Sequence, residues 1–219
     1  MSAAADASAP LRQFIRERMR LEQVPGLEGI SLYRAHPGTG LSRISGDLPP
    51  YWAYAWGGGL VLVRYIRDHP QSVAGLSVLD LGTGSGVVAV AAAQAGARRA
   101  LAVDIDPNAI AAAELNAEAN GVCLELFAGD LLGAPLPEVD VVLMGDVFYD
   151  ADVARRMLPF ADRCAAAGIK VLIGDPMRVD LPASALRSIA EYKVPDFGDG
   201  QGAEARIGAV FTPAVSAIL

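Results

Sequence analysis

Apolar positions along this chain fall into two regimes. Before residue 49 they are scattered among polar ones, whereas from Ser77 onward short apolar runs alternate with longer amphipathic or alanine-rich segments. The runs at residues 77–81, 99–104, 124–130, 139–145 and 170–174 have the length and the branched-residue content of buried strands. Between them, residues 87–91, 108–120 and 151–167 have helical character, and Asp106 before Pro107 supplies an N-cap followed by a proline suited to the first helical turn. Strand and helix in regular alternation predict a Rossmann-like α/β fold, a doubly wound parallel sheet with helices on both faces. Residues 60–67 predict one further helix ahead of the first strand, stopping near His69-Pro70, and residues 181–192 another near the end. Residues 192–194 and 205–212, joined by the Gly/Asp-rich stretch 196–202, predict a closing antiparallel pair of strands. Ahead of all this, residues 11–19 predict a short amphipathic helix, and residues 28–33 alternate weakly enough to suggest an edge strand broken at His36-Pro37-Gly38. The expected organisation is an N-terminal tail and flap over residues 1–48 and one domain over 49–219.

The stretch Val78-Leu79-Asp80-Leu81-Gly82-Thr83-Gly84-Ser85-Gly86 stands out within this pattern, as an apolar strand that stops at an acid and opens into alternating glycines. Glycines there permit positive φ and clear side chains from where a ligand must approach backbone, while the next apolar run starts a helix whose amides point at the ligand. A dinucleotide fingerprint needs a third glycine three residues after the second, and Val87 occupies that place.

Composition narrows the setting. A chain of 219 residues with 53% hydrophobic and 20% charged residues fits one large domain with a sizeable core. No apolar run approaches the roughly eighteen residues of a membrane span. The formal net charge of -7 argues against a nucleic-acid footprint and favours a basic protein substrate. Cys123 and Cys164 fit neither a disulfide framework nor a metal knuckle, and His36 and His69 are far apart, so no metal is expected. Acidic residues within the N-terminal segment argue against a transit peptide, leaving the cytoplasm as the expected compartment.

Several positions carry candidate chemistry. Asp104 ends the second strand of the regular alternation, eighteen residues past Gly86, where a carboxylate can accept hydrogen bonds from the two vicinal hydroxyls of a ribose. Asp130 ends the third, where it could accept a bond from an adenine amino group or simply close an Asp turn. Gly145-Asp146-Val147-Phe148-Tyr149-Asp150 follows the fourth, which should lie beside the first. Finally, Tyr51-Trp52-Ala53-Tyr54-Ala55-Trp56 runs into Gly57-Gly58-Gly59, which suits either core packing with a turn or an aromatic lid over a bound cation.

The D-x-G-x-G-x-G turn resembles motif I of the class I S-adenosylmethionine (SAM) methyltransferases. Together with Pro50-Tyr51-Trp52-Ala53, Asp104-Ile105-Asp106-Pro107, Asp146-Val147-Phe148-Tyr149-Asp150 and Ile173-Gly174-Asp175-Pro176, it resembles the electron-transfer-flavoprotein β-subunit lysine methyltransferases over roughly residues 49–178. That resemblance implies a seven-stranded sheet, SAM as cofactor and a folded protein as substrate, the electron transfer flavoprotein β-subunit first and a ribosomal protein second. It implies cofactor contacts from Trp56, Asp80, Gly82, Thr83, Gly84, Gly86, Asp104, Ile105, Asp130 and Gly145, and an Asp-x-x-Tyr element at Asp146 and Tyr149 as the catalytic loop. Met177 departs from the glycine the family often has after Asp-Pro, and the region before Pro49 matches loosely. An ionised carboxylate is a poor base for a lysine ammonium of pKa about 10.4, so Asp146 is expected to orient the amine through a hydrogen bond and Tyr149 to shape its channel.

Overall fold

A computed structural model describes residues 8–44, 49–195 and 206–214. Its main sheet has seven strands: β3 (Ser77–Leu81), β4 (Arg99–Asp104), β5 (Glu125–Ala128), β6 (Val141–Gly145), β7 (Lys170–Asp175), β8 (Leu186–Val194) and β9 (Arg206–Pro213). They lie in the order β5-β4-β3-β6-β7-β9-β8. The first five are parallel, and β9 enters antiparallel between β7 and β8. This is the expected α/β sheet with its closing antiparallel pair. The linker at 196–202 lies outside the described residues.

Buried parallel strands must be apolar on both faces, and this sheet is covered on both. Helices α2 (Gly57–Asp68) and α3 (Val87–Gln94) pack with Val78, Val141 and Leu172 in one core, joined by Leu60, Leu62, Ile66 and Val88. On the opposite face Leu79, Val142 and Ile173, the alternate positions of the same strands, pack with Phe148 and with Phe160 and Cys164 of α5 (Ala151–Ala166). Helix α4 (Pro107–Ala119) follows β4 and forms a third cluster through Ala109, Ala112 and Leu115. As the sequence predicts, the Asp106 carboxylate caps α4, accepting the Asn108 N–H at 2.8 Å.

Residues ahead of the sheet pack onto α4. Helix α1 (Ala9–Arg18) buries Leu11 and Ile15 against Leu115 and Trp52. The flap is a two-stranded antiparallel ribbon of β1 (Arg20–Gln23) and β2 (Ser31–Arg34). Asn116 of α4 and Asn120, the residue that ends that helix, accept the Tyr33 and Ser31 N–H groups at 2.8 and 2.9 Å, which fastens the ribbon to the domain. Strand β1 has no apolar alternation and all four of its residues are exposed, so pairing with β2 alone defines it.

Two expectations need correction. Residues 181–192, expected as a helix, form a 3₁₀ turn at Ala183–Ala185 and then β8. Leu186, Ile189 and Ala190 have helical spacing, but eight paired positions with β9 outweigh that local preference. Gly57-Gly58-Gly59, expected as a turn, is the buried first turn of α2. A Cβ on Gly58 would stand 2.3 Å from the Gly174 carbonyl oxygen, so glycine is there for close approach of the helix to the ends of β6 and β7. Among the described residues, no helix is long and apolar enough to cross a membrane.

Candidate active site

Every loop at the carboxyl ends of β3 to β7 contributes to one cavity of about 340 Å³. Parallel sheets bind ligands there, beside the point where the chain reverses its winding direction, here between β3 and β6.

One wall is the glycine turn and β4. Asp80 is buried and accepts bonds from Thr83 Oγ1 at 2.6 Å and from the Ala89 N–H at 3.0 Å, tying the turn to the first turn of α3. Burial raises its pKa to about 7, with the Thr83 and Ala89 bonds opposing. Gly86, at φ 81, packs so closely on α4 that a Cβ would meet the Cβ of Ala113 at 2.9 Å. Asp80, Thr83 and Gly86 therefore build the turn from behind without lining the cavity. Gly82 and Gly84 do line it, with Asp104 and Ile105. Asp104 Oδ2 accepts the Gly84 N–H at 2.9 Å and Oδ1 the Asp106 N–H at 3.0 Å, and the Ile105 N–H also bonds to this carboxylate. A carboxylate has about four acceptor sites, so about one remains for a ligand hydroxyl. Burial raises the Asp104 pKa, opposed by these backbone bonds. Asp130 lines the cavity and forms an ion pair with Arg156 of α5, and its Oδ1 accepts the Leu132 N–H at 2.9 Å. Those two partners hold its pKa below the usual carboxylate value. Asp130 thus closes an Asp turn and also faces the cavity.

The other wall comes from the loops after β6 and β7, with the aromatic segment. Asp146 adopts φ 55, a left-handed conformation that Asp tolerates better than most residues. Its Oδ2 accepts the N–H groups of Gly58, in a short bond, and of Gly59, at 3.2 Å. Trp56, the residue at the start of α2, provides no side-chain cap, so Asp146 caps that helix from 88 residues away. Asp146 Oδ1 accepts Arg178 Nε at 3.1 Å and Nη2 at 2.9 Å. Beside this pair, the Trp56 ring lies 5.9 Å from the Arg178 guanidinium carbon and donates its indole N–H to the Tyr51 carbonyl at 2.8 Å. Tyr51 packs against both Trp56 and Tyr149, at centroid distances of 5.8 and 5.1 Å. Burial pushes the Tyr149 pKa up.

The structure thus gathers Trp56, Gly82, Gly84, Asp104, Ile105, Asp130, Gly145, Asp146 and Tyr149 around one space. The lid expectation is corrected for Trp52, which is 2% exposed and wedged among Leu11, Ile15 and Leu115 as a fixed wall. Arg178 and Arg156 also line the cavity, unforeseen from sequence. Arg178 stands directly after the fifth parallel strand, and that position alone could have flagged it, since the other four such loops were already candidates. Among the described residues no group of three His, Cys, Asp or Glu side chains is arranged to hold a metal.

A candidate RNA methyltransferase from Pyrococcus horikoshii is similar in structure, with a TM-score of 0.57 at 18% identity over 81% of this chain and 94% of that one. The N-methyltransferase NodS from Bradyrhizobium japonicum WM9, solved with S-adenosyl-L-homocysteine, gives 0.51 at 20% identity over 69% and 85%. The fold is that of the class I methyltransferases. Within this fold, the family model for ribosomal protein L11 methyltransferase (PrmA) matches residues 66–148. The electron transfer flavoprotein beta subunit lysine methyltransferase of Rattus norvegicus is 40% identical over 153 residues, 67% of this chain and 60% of that protein. The human protein of the same name is 40% identical over 151 residues. The chain therefore spans about three-fifths of the length of these methyltransferase relatives.

Proposed function

We propose that this chain is a SAM-dependent protein-lysine N-methyltransferase acting on the electron transfer flavoprotein β-subunit. The observation that carries the proposal is one cavity whose first wall presents the Asp104 carboxylate beside an open glycine turn, and whose second wall presents Asp146, Arg178 and a ring of aromatic faces. The first wall suits a nucleoside, because charge-assisted bonds from two ribose hydroxyls are worth about 1.5–3 kcal/mol each. Asp104 would hold the ribose, Asp130 would face the adenine, and Gly82, Gly84, Ile105 and Gly145 would shape the backbone around them. When bound, SAM supplies an electrophilic methyl on a positively charged sulfur. The rings of Trp56, Tyr51 and Tyr149 suit such a cation and a lysine side chain alike, since aromatic faces attract positive charge and the chain's methylenes are apolar.

Catalysis here rests on positioning. Bringing a lysine amine into neutral form at pH 7 costs about 4–5 kcal/mol from a pKa near 10.4. Tyr149 keeps its proton, because its pKa is raised, and serves as a neutral wall. Asp146 acts through Arg178 and α2, whose groups it already holds. The exposed thiol of Cys123 suits the reducing cytoplasm.

The test is transfer of labelled methyl from SAM into an extract lacking this enzyme, with mass spectrometry of the products. Label on lysine of the flavoprotein β-subunit is the expected result. Label only in ribosomal protein would move the substrate assignment to the second candidate. Label in RNA or in small molecules alone, or no transfer by a chain that binds SAM, would reject the reading.

A further inference from the structure

Asn116 is wholly buried on α4, and its amide is used at both ends. Oδ1 accepts the Tyr33 N–H of β2 at 2.8 Å, and Nδ2 donates to the Ser85 carbonyl at 2.8 Å. The two partners fix which way the amide points, because a backbone N–H needs the oxygen and a carbonyl needs the nitrogen. Ser85 lies inside the glycine turn. Before it, Gly84 lines the cavity and donates its N–H to Asp104; after it, Gly86 packs on Ala113, three residues ahead of Asn116 in α4. One side chain therefore joins the N-terminal ribbon to the turn that borders the cavity.

A second path connects the same two places. Directly after β2, the Ala35 N–H donates to the Ala53 carbonyl at 3.0 Å. Trp52, the neighbour of Ala53, stands over the turn, its Cα 4.0 Å from where a Cβ on Gly84 would be. Tyr33 packs in the same apolar cluster as Trp52 and Leu115. Among the described residues, none of α1, β1 or β2 lines the cavity, so this support comes from behind.

Resting on the SAM reading above, we propose that Asn116 is a positioning residue for the cofactor: its amide holds the Ser85 peptide in the shape that binds the nucleoside and couples that shape to the N-terminal ribbon. A turn that is ordered before the ligand arrives does not have to be ordered by it, so the brace is felt in cofactor affinity. Coupling is reciprocal, so a bound cofactor steadies the ribbon in turn. Asn120 supplies the contrast. One helical turn further on it grips the same strand, accepting the Ser31 N–H at 2.9 Å and donating to the Ser31 carbonyl at 2.6 Å, and it also donates to the Asn116 carbonyl at 2.7 Å. Both asparagines fasten the ribbon, and Asn116 also fastens the turn.

The experiment compares Asn116→Leu, which removes both bonds at similar volume, with Asn120→Ala, which loosens the ribbon and leaves the bond to Ser85. Calorimetry should show SAM binding about 10-fold weaker in Asn116→Leu and within about 2-fold of wild type in Asn120→Ala, with circular dichroism confirming that both are folded. In turnover on the protein labelled in the extract, the KM for SAM should rise by a similar factor in Asn116→Leu while kcat at saturating SAM stays within about 2-fold. A measurement on the wild type serves should Asn116→Leu not fold. Saturating SAM should slow amide hydrogen exchange at Tyr33 by about 5-fold more than in β8, at the far edge of the sheet. Unchanged SAM affinity in Asn116→Leu, an equal loss in Asn120→Ala, a fall in kcat with KM unmoved, or equal slowing of exchange at Tyr33 and in β8 overturns the proposal. Wild-type protein that binds no SAM rejects the underlying reading instead, so the two failures are distinguishable.

Discussion

The two walls of the cavity hold their acids differently. On the glycine-turn side, Asp80 bonds to Thr83 and Ala89, and Asp104 to Gly84 and Asp106, all within twenty residues of chain. On the opposite side, Asp146 reaches Gly58 and Gly59 across 88 and 87 residues and Arg178 across 32. The first wall is assembled by local backbone geometry and should keep its shape when distant contacts are cut. The second exists only because the sheet brings α2, the β6 loop and the β7 loop to one point, so its function and the fold's stability are coupled.

The sharpest way to break this comparison is Asp146→Ala, which strips α2 of its cap and Arg178 of its partner. Unfolding in urea should show a loss of about 3 kcal/mol, in the range for removing one member of a partly buried pair, and methyl transfer should fall at least about 100-fold. Unchanged stability would mean that the second wall is as self-sufficient as the first. Next, Gly58→Ala drives a methyl into the Gly174 carbonyl and against Asp146 and should cost about 2–3 kcal/mol in the same assay. On the local wall, Asp104→Asn should separate function from stability. SAM affinity by calorimetry should drop about 10- to 100-fold, while stability falls by only about 1 kcal/mol, since the amide oxygen keeps one backbone N–H bond and the amide nitrogen gives up the other.

A smaller effect concerns pH. Asp175 titrates at about 7 in the folded chain against an ordinary 3.8, so between those values the folded state holds a proton that the unfolded state has lost. Its contribution is full below about pH 4 and declines as pH rises toward 7. Asp175→Asn should remove that decline, flattening the slope of stability against pH across the window in urea titrations. An unaltered slope would show that Asp80, raised in the same direction, dominates. Least affected should be Arg16→Ala, which removes a bond to Glu118 between half-exposed side chains on α1 and α4. It should change stability by less than about 0.5 kcal/mol, and a larger loss would make the N-terminal segment a stronger clamp on α4 than surface pairing allows.

The same division explains what could be foreseen. Parallel strands, the α4 cap at Asp106, the glycine turn and the acid at the end of β4 each announce themselves through residues a few positions apart, because turn and cap chemistry is local. The failures lie where distant partners decide. Residues 181–192 look helical by spacing and become β8 because β9 offers a full ladder. Gly57-Gly58-Gly59 looks like a turn and is a buried helix start, since nothing nearby in sequence reveals the Gly174 carbonyl against Gly58. Trp52 suits a lid or core packing by sequence, and α1, a helix about forty residues earlier, makes it core.

Sequence alone determined the α/β class, the run of parallel strands and the glycine turn with its acid at the end of β4, because hydrophobic period and turn chemistry act within a single element. Only the tertiary structure decided that Asp146 is already engaged, by the start of α2 and by Arg178. Acceptor capacity is a property of the space around a carboxylate, and that space is filled by residues the chain brings from 32 and 88 positions away.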